Sequence, residues 1–282
     1  MSRSYLGILL AILSMLLFSI TYAIFKACNP YIPNVQIIFI QSACSWILIV
    51  PFIFRGVIQN LKTEKFWLIA ARTVFGLLGM ICITAALRTT DLAEVVLLNN
   101  TAPLFVPLII WFWHKVKISG FLGLSLIVGF GGVVLVLRPG FETLRIGLIL
   151  GAISGVFSAL LLVVTRQIAG EPFIRILFYY YLLWWGLLLP FILFFWEATP
   201  LFLWLWLIGS ALASIGAQWA FTAALRFAPS QEVAPFIYTS VIFSGIIGWV
   251  IWREAIELLS LIGMLVVCAG GILTMWAARR SV

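Results

Sequence analysis

Several polar side chains that could bind a solute lie inside long apolar segments of this 282-residue chain. A polar group at membrane depth is costly unless it has a partner or lines water, so these groups are candidates for a solute pathway. Asn99, Asn100 and Thr101 form the clearest group, directly before Pro103. Because proline cannot donate to the carbonyl four residues earlier, Pro103 frees the carbonyl of Asn99. This pattern is typical of a discontinuous helix that binds a polar solute.

A second polar group surrounds another proline. Pro235 frees the carbonyl of Gln231 and precedes Tyr238 and Thr239. The predicted solute-binding residues are therefore Asn99, Asn100, Thr101, Tyr238 and Thr239, with further candidates at Gln218, Trp219 and Tyr22. In the alternative interpretation, these polar side chains only hydrogen-bond neighbouring helices.

Two carboxylates are candidates for gating residues. Glu94 and Glu232 lie at the starts of the predicted fourth and ninth helices. Asp91 precedes the first of them and Ser230 the second, which is the arrangement of a helix N-cap. The alternative to gating is therefore that both acids complement the helix dipole.

Cations and aromatic residues also occur near or within the apolar segments. We expect Arg72 and Arg166 to snorkel towards the membrane surface, the alternative being contact with an anionic group of a solute. The run at residues 179–181, with Trp184 and Trp185, is predicted to anchor a helix at the membrane interface. In the alternative, its rings stack on a planar or cationic solute.

The chain has little material for an enzyme active site. His114 is the only histidine and Asp91 the only aspartate, which excludes a two-histidine metal site and a paired-aspartate protease. It also has no phosphate-binding glycine loop of the ATPase type. We therefore expect no catalytic residues, no metal and no cofactor, the alternative being a catalytic serine paired with a lysine or a glutamate.

Composition assigns the chain to the membrane. It is 64% hydrophobic and 9% charged, whereas soluble domains are about 25% charged. The formal charge of +8 comes from cations spread singly between apolar blocks, which argues against nucleic-acid binding. The four cysteines have no regular spacing, so neither a disulfide framework nor a zinc site is predicted.

The apolar blocks have the length of about twenty residues that crosses a bilayer. The predicted helices are Leu6–Lys26, Val35–Phe54, Phe66–Leu87, Ala93–Trp113, Gly120–Leu137, Ile146–Thr165, Phe173–Phe195, Phe202–Leu225, Gln231–Trp252 and Leu259–Ala277. With the N-terminus inside, twelve of the 17 Lys and Arg residues fall on the cytoplasmic side. We therefore expect an inner-membrane protein with both termini in the cytoplasm.

The sequence repeats itself. The segment Thr-Ala-Ala-Leu-Arg at 84–88 recurs at 222–226, an offset of 138 residues, and Glu94 recurs at the same offset as Glu232. Each half contains five predicted spans, so the second half must enter the membrane from the opposite side. The prediction is two inverted five-helix repeats, at 1–140 and 141–282, that expose a central site to each face in turn.

The pattern of five plus five helices, the repeated Ala-Leu-Arg and Glu-Val stretch, and the Gly-Gly pairs at 131–132 and 270–271 resemble EamA-type carriers of the drug/metabolite transporter superfamily. The resemblance implies peripheral positions for helices five and ten and a homodimer contact through them. Such carriers often have a Gly-Glu pair after helices four and nine. Glu254 fits the second pair, whereas His114-Lys115 replaces the first.

The sequence as a whole predicts a secondary transporter for a small organic metabolite, working by alternating access in the lipid bilayer. From the resemblance we expect an amino-acid-like or nucleoside-like solute, or a cofactor such as S-adenosylmethionine. The alternatives are a flippase for lipids or lipid-linked intermediates and, less favoured, a membrane enzyme.

Overall fold

The computed structural model describes residues 3–52, 62–115, 119–137, 146–168 and 170–280. Within these ranges every regular element is helical. The helices are α1 (Arg3–Cys28), α2 (Asn34–Phe52), α3 (Phe66–Ala86), α4 (Leu92–Asn99), α5 (Ala102–His114), α6 (Gly120–Leu137), α7 (Ile146–Gln167), α8 (Phe173–Phe195), α9 (Leu201–Phe227), α10 (Ser230–Val233), α11 (Thr239–Trp252) and α12 (Leu258–Arg280). The described residues contain 10 stretches long and apolar enough to cross a membrane, which confirms the predicted all-α membrane fold.

Two of the spans are interrupted. The fourth stops at Asn99 at the end of α4 and continues as α5 from Ala102. The ninth consists of α10, a 3-10 turn at Ala234–Tyr238, and α11. Pro103 and Pro235 lie at the starts of α5 and of the 3-10 turn, where a missing amide donor breaks the helical ladder at least cost.

The helices pack as two inverted repeats. The helix α1 packs along α9 and α3 packs along α7, while α2 faces α8 and α6 faces α12. Since α7 repeats α1 and α9 repeats α3, exchanging the halves exchanges the first two contacts. An odd number of spans in each half gives the halves opposite orientations, as predicted.

Two related glycines show how closely the halves correspond. A Cβ added at Gly7 would lie 2.9 Å from the amide nitrogen of Ala228 and 3.0 Å from the Ala224 carbonyl. A Cβ at Gly147 would meet the hydroxyl of Thr90 and would lie 3.0 Å from the Ala86 carbonyl. Ala224 and Ala228, which contact Gly7, lie 138 residues after Ala86 and Thr90, which contact Gly147. The same close helix crossing is therefore built twice.

The glycine faces of α6 and α12 pack against each other within the chain. A Cβ at Gly132 would lie 2.6 Å from the Val267 amide, and one at Gly263 would lie 3.1 Å from the Gly132 carbonyl. This close packing of small residues lies inside one molecule. A homodimer contact through these helices stays a prediction, as does the division of the repeats at residue 140, which lies outside the described residues.

Candidate functional site

A cavity of about 200 Å³ lies at the centre of the bundle. Six helices form its wall: α1, α3 and α4 from the first repeat and α7, α8 and α9 from the second. Three of the predicted solute-binding residues line it, namely Tyr22, Asn99 and Gln218. The wall combines these polar groups with apolar and aromatic side chains, which is the usual composition of a small-molecule site.

Arg72 of α3 faces this cavity and is only 7% exposed. Its Nε donates a hydrogen bond to the Thr165 hydroxyl at 3.0 Å, and its guanidinium lies 4.8 Å from the centre of the Tyr180 ring. Its Nη1 has no hydrogen-bond partner among the described residues. The predicted snorkelling of Arg72 is therefore wrong, because the side chain turns into the bundle rather than towards its surface.

The aromatic run of α8 forms one wall of the cavity. Tyr180, Tyr181 and Trp184 are all buried and line it. The Trp184 indole donates to the Thr73 carbonyl at 3.0 Å, and the hydroxyls of Tyr181 and Ser214 lie 3.2 Å apart. The expected interfacial anchoring is wrong for these three rings, since all three are buried inside the bundle.

The polar group at the break in the fourth span divides between two roles. Asn99 borders the cavity, where its Oδ1 accepts a hydrogen bond from Ser158 at 2.7 Å. Asn100 donates to the Ser240 hydroxyl at 2.7 Å and so links the broken span of each repeat to the other. Thr101 is fully buried and donates to the Leu98 carbonyl at 2.5 Å. Of the three, only Asn99 reaches the cavity.

The remaining predicted binding residues lie elsewhere. The Tyr238 side chain is buried against Gly271 of α12, and its hydroxyl lacks a partner in the described part of the chain. Thr239 donates to the Phe236 carbonyl at 2.6 Å. Trp219 is 61% exposed and lines a groove on the outer surface. None of these three lines the central cavity, so their positions give a direct role in solute binding no support.

The two candidate gating carboxylates differ in environment. Glu94 is buried, and its Oε1 accepts a hydrogen bond from Ser260 of α12 at 2.6 Å. Glu232 is exposed at the opposite end of the bundle. The Asp91 side chain makes no hydrogen bond that caps α4, so the predicted capping arrangement is not formed there. A gating role for either acid remains a prediction.

An ion pair between the two repeats closes one end of the bundle. The Lys26 ammonium pairs with the Glu254 carboxylate and also donates to the Thr90 carbonyl at 2.7 Å. The other oxygen of Glu254 accepts the Leu92 amide at 2.9 Å. We call this end, where α1 and α11 finish and α4 begins, the Lys26 face. The sequence alone did not predict this pair. The signal that could have indicated it is that Glu254 fits the Gly-Glu pattern whereas the corresponding position of the first repeat does not.

The opposite end, which we call the Arg166 face, has no equivalent ion pair among the described residues. Arg166 occupies the position of Lys26 in the second repeat, 140 residues later, and is exposed. Lys115 and Arg253, 138 residues apart, both end their helices in the left-handed conformation, with φ of 53° and 58°. This register corrects the expected correspondence of Glu254 with His114-Lys115. In this register the counterpart of Glu254 is Val116, which lies outside the described residues.

Comparison with known proteins gives consistent results over both halves. Residues 5–138 and 145–276 each match the EamA-like transporter family. The chain is 26% identical to the pseudopaline exporter CntI of Pseudomonas aeruginosa, covering 91% of each protein. It is 23% identical to the S-adenosylmethionine uptake transporter of Rickettsia prowazekii, covering 99% of this chain and 96% of that one. A crystal structure 18% identical in sequence shares the fold, with a TM-score of 0.68 over 99% of this chain and 100% of the other.

The family predicted from the repeated motifs is confirmed by these matches, which cover both repeats and leave only short segments unmatched. The relatives are transporters of small molecules. The chain is a multi-pass membrane protein that belongs to the EamA-like transporter family.

Proposed function

We propose that the chain is a secondary transporter that carries a small organic solute through the central cavity by alternating access. One observation carries this proposal: the cavity is walled by helices of both repeats. In addition, an ion pair between the repeats closes one end of the bundle. Two inverted repeats can exchange their conformations, which opens a shared site to one face and then to the other.

The Lys26 face must open for the solute to pass. Opening separates Lys26 from Glu254, whose side chains are only 14% and 10% exposed, and frees the Leu92 amide and the Thr90 carbonyl. Charges released from a partly buried pair need new partners or water. In this proposal, water enters from the Lys26 face as the pair breaks. The buried Glu94, also near this end, would belong to the same gate.

Cavity size favours a solute of amino-acid dimensions. The volume of about 200 Å³ is below the roughly 300–1,000 Å³ typical of sites for drug-sized ligands. An amino-acid-like solute therefore fits the closed form better than a nucleoside or S-adenosylmethionine, for which the cavity would have to widen. The named cargoes of the two relatives differ from each other, so they do not favour one substrate.

We place the chain in the inner membrane, with both termini in the cytoplasm, from the distribution of cations. In that orientation the Lys26 face is the non-cytoplasmic one, and the structure corresponds to the state closed to the outside. We also propose that the chain catalyses no covalent reaction, because its sequence has one histidine and one aspartate.

Counterflow in liposomes tests the proposal. The purified chain is reconstituted into liposomes, which are loaded with unlabelled amino acids, nucleosides or S-adenosylmethionine. The same solute in labelled form is then added outside the liposomes. We expect transient accumulation of at least one solute. The Gly76→Phe variant should abolish it by filling the cavity, whereas Gly131→Phe should not, because a Cβ at Gly131 meets nothing within 4 Å. Flux without counterflow would indicate a channel, and no flux with folded protein would refute transport of these solutes.

A lipid flippase is the second candidate, and one surface feature favours it. A groove of about 540 Å³ between α8 and α9 has apolar walls, including Trp219 and Phe227, and a cation at Arg226. Such a groove could hold an acyl chain with its headgroup at the arginine. Movement of a fluorescent anionic lipid between leaflets, dependent on the reconstituted protein, would favour this candidate over the carrier.

A further inference from the structure

We propose that Arg72 binds the carboxylate of the transported solute, so that the cavity selects small organic acids and amino acids with an apolar or aromatic body. This inference rests on the proposed function, because it assigns a substrate class to the same cavity. The observation behind it is a guanidinium that lines the cavity, is 93% shielded, and has an unpartnered nitrogen.

No described acidic residue neutralises the positive charge of Arg72. The sequence has nine acidic residues, and Glu142 alone lies outside the described ranges. Among the described acids, Glu171 pairs with Arg175, Glu254 pairs with Lys26, and none pairs with Arg72 or lines the cavity. A buried charge without a counter-ion is strongly unfavourable, so an anion is the partner expected in the working cycle.

The contacts of Arg72 leave one edge of its guanidinium for that anion. Its Nε is bonded to Thr165, and one face of the group lies over the Tyr180 ring. Gly76, one turn further along α3, permits this approach, because a Cβ there would lie 2.8 Å from the Tyr180 hydroxyl. A guanidinium held on two sides presents its remaining donors in a fixed plane, which suits the two oxygens of a carboxylate.

The rest of the cavity indicates the body of the solute. Phe18, Met80, Ile83 and Leu161 give an apolar surface, and Trp184 gives an aromatic one. Among the described residues that line the cavity there is no carboxylate that could bind a cation. A solute of net positive charge, such as S-adenosylmethionine, is therefore disfavoured. The volume of about 200 Å³ restricts the solute to the size of an ordinary amino acid.

Matched acid and amide probes test the assignment on the purified full chain. Calorimetric titration compares 3-phenylpropionate with 3-phenylpropanamide, L-phenylalanine with L-phenylalaninamide, and L-leucine with L-leucinamide. We expect the acid of at least one pair to bind about tenfold more tightly than its amide, a difference of about 1.4 kcal/mol. Arg72→Met should remove this preference, and Arg72→Lys should retain part of it. Equal binding within every pair, no binding by any acid, or a preference that survives in Arg72→Met would overturn the inference.

Arg166→Met is the matched control, since it removes an exposed arginine from the same end of the bundle. It should leave the preference for acids unchanged, and its loss in this variant would assign recognition to the entrance rather than to Arg72. Counterflow separates this inference from the proposed function. Acid-selective binding without counterflow would support the site and refute the carrier, whereas equal counterflow of acids and amides would support the carrier and refute the site.

Discussion

Lys26 and Glu254, which are 228 positions apart in the sequence, form an ion pair that joins the end of α1 to the segment that follows α11. Each partner belongs to a different repeat. The positions related to them by the internal repeat are Arg166 and Val116, which cannot form the same pair. The two faces of the bundle therefore differ in chemistry, although the two repeats share one fold.

Removing one charge of this pair should open the Lys26 face. In Glu254→Gln the Lys26 ammonium loses its counter-ion. Truncating one partner of a buried charge pair costs about 2–5 kcal/mol of interaction free energy. Spin labels are attached at Tyr31→Cys and Ile256→Cys in a background without the native cysteines. Pulsed electron paramagnetic resonance should then show that a larger fraction of the molecules has a long distance between the two labels.

Two variants control this experiment. Glu257→Gln removes a nearby exposed carboxylate and should leave the distances unchanged. The exchange of charges in Lys26→Glu with Glu254→Lys should restore most of the closed population. An unaltered distance distribution in Glu254→Gln would show that the pair does not hold this face closed.

Replacing Arg72 should separate binding from stability. Because its Nη1 lacks a partner in the described part of the chain, Arg72→Met removes a buried charge without breaking an ion pair. Exchanging such a group for an apolar one is often neutral or stabilising. We therefore expect an unchanged or higher melting temperature alongside the loss of acid binding. A clearly lower melting temperature would instead indicate that Arg72 holds α3 and α7 together.

The hydrogen bond from Asn100 to Ser240 should couple the two broken spans. A double-mutant cycle with Asn100→Ala and Ser240→Ala should give an interaction energy of about 0.6 kcal/mol, the average for such bonds in membrane proteins. Unfolding in mixed micelles measures it. Asn99→Ala combined with Ser240→Ala is the control, since Asn99 bonds to Ser158 instead. Strict additivity in the first cycle would contradict the contact.

Neighbouring glycines of α6 should respond differently to the same substitution. A Cβ at Gly132 would lie 2.6 Å from the Val267 amide, whereas one at Gly131 meets nothing within 4 Å. Gly132→Val should therefore separate α6 from α12 and destabilise the fold by about 1–3 kcal/mol, the range for overpacking. Gly131→Val should be close to neutral. Similar melting temperatures for the two variants would be inconsistent with this crossing.

Glu171, between α7 and α8, should make stability depend on pH. The Thr63 hydroxyl donates to its carboxylate at 2.7 Å and Arg175 lies 2.6 Å away, and both contacts lower the pKa of Glu171 below its usual value. A lowered carboxyl pKa stabilises the fold above the unfolded pKa, and this contribution is lost as pH falls through the folded pKa. The stability difference between wild type and Glu171→Gln, measured by thermal unfolding, should therefore shrink in acid. A constant difference would contradict it.

The candidate site was only partly predictable. Asn99 could be placed in it because Pro103 marks a break in the helix at membrane depth, and Tyr22 and Gln218 were named as polar residues within apolar spans. Thr101 and Tyr238 carry the same signal, yet their side chains turn into helix contacts. Proximity to a proline indicates the depth of a residue and not the direction in which its side chain points.

The sequence by itself determined ten spans, two inverted repeats and two broken helices, because each depends on the local length, order and composition of the chain. Only the tertiary structure decided that Arg72 faces the cavity and that Lys26 meets Glu254. Helices that are apolar on nearly every side do not reveal which face turns inward. That choice depends on the neighbours that pack against each helix, and here those neighbours come from the other repeat.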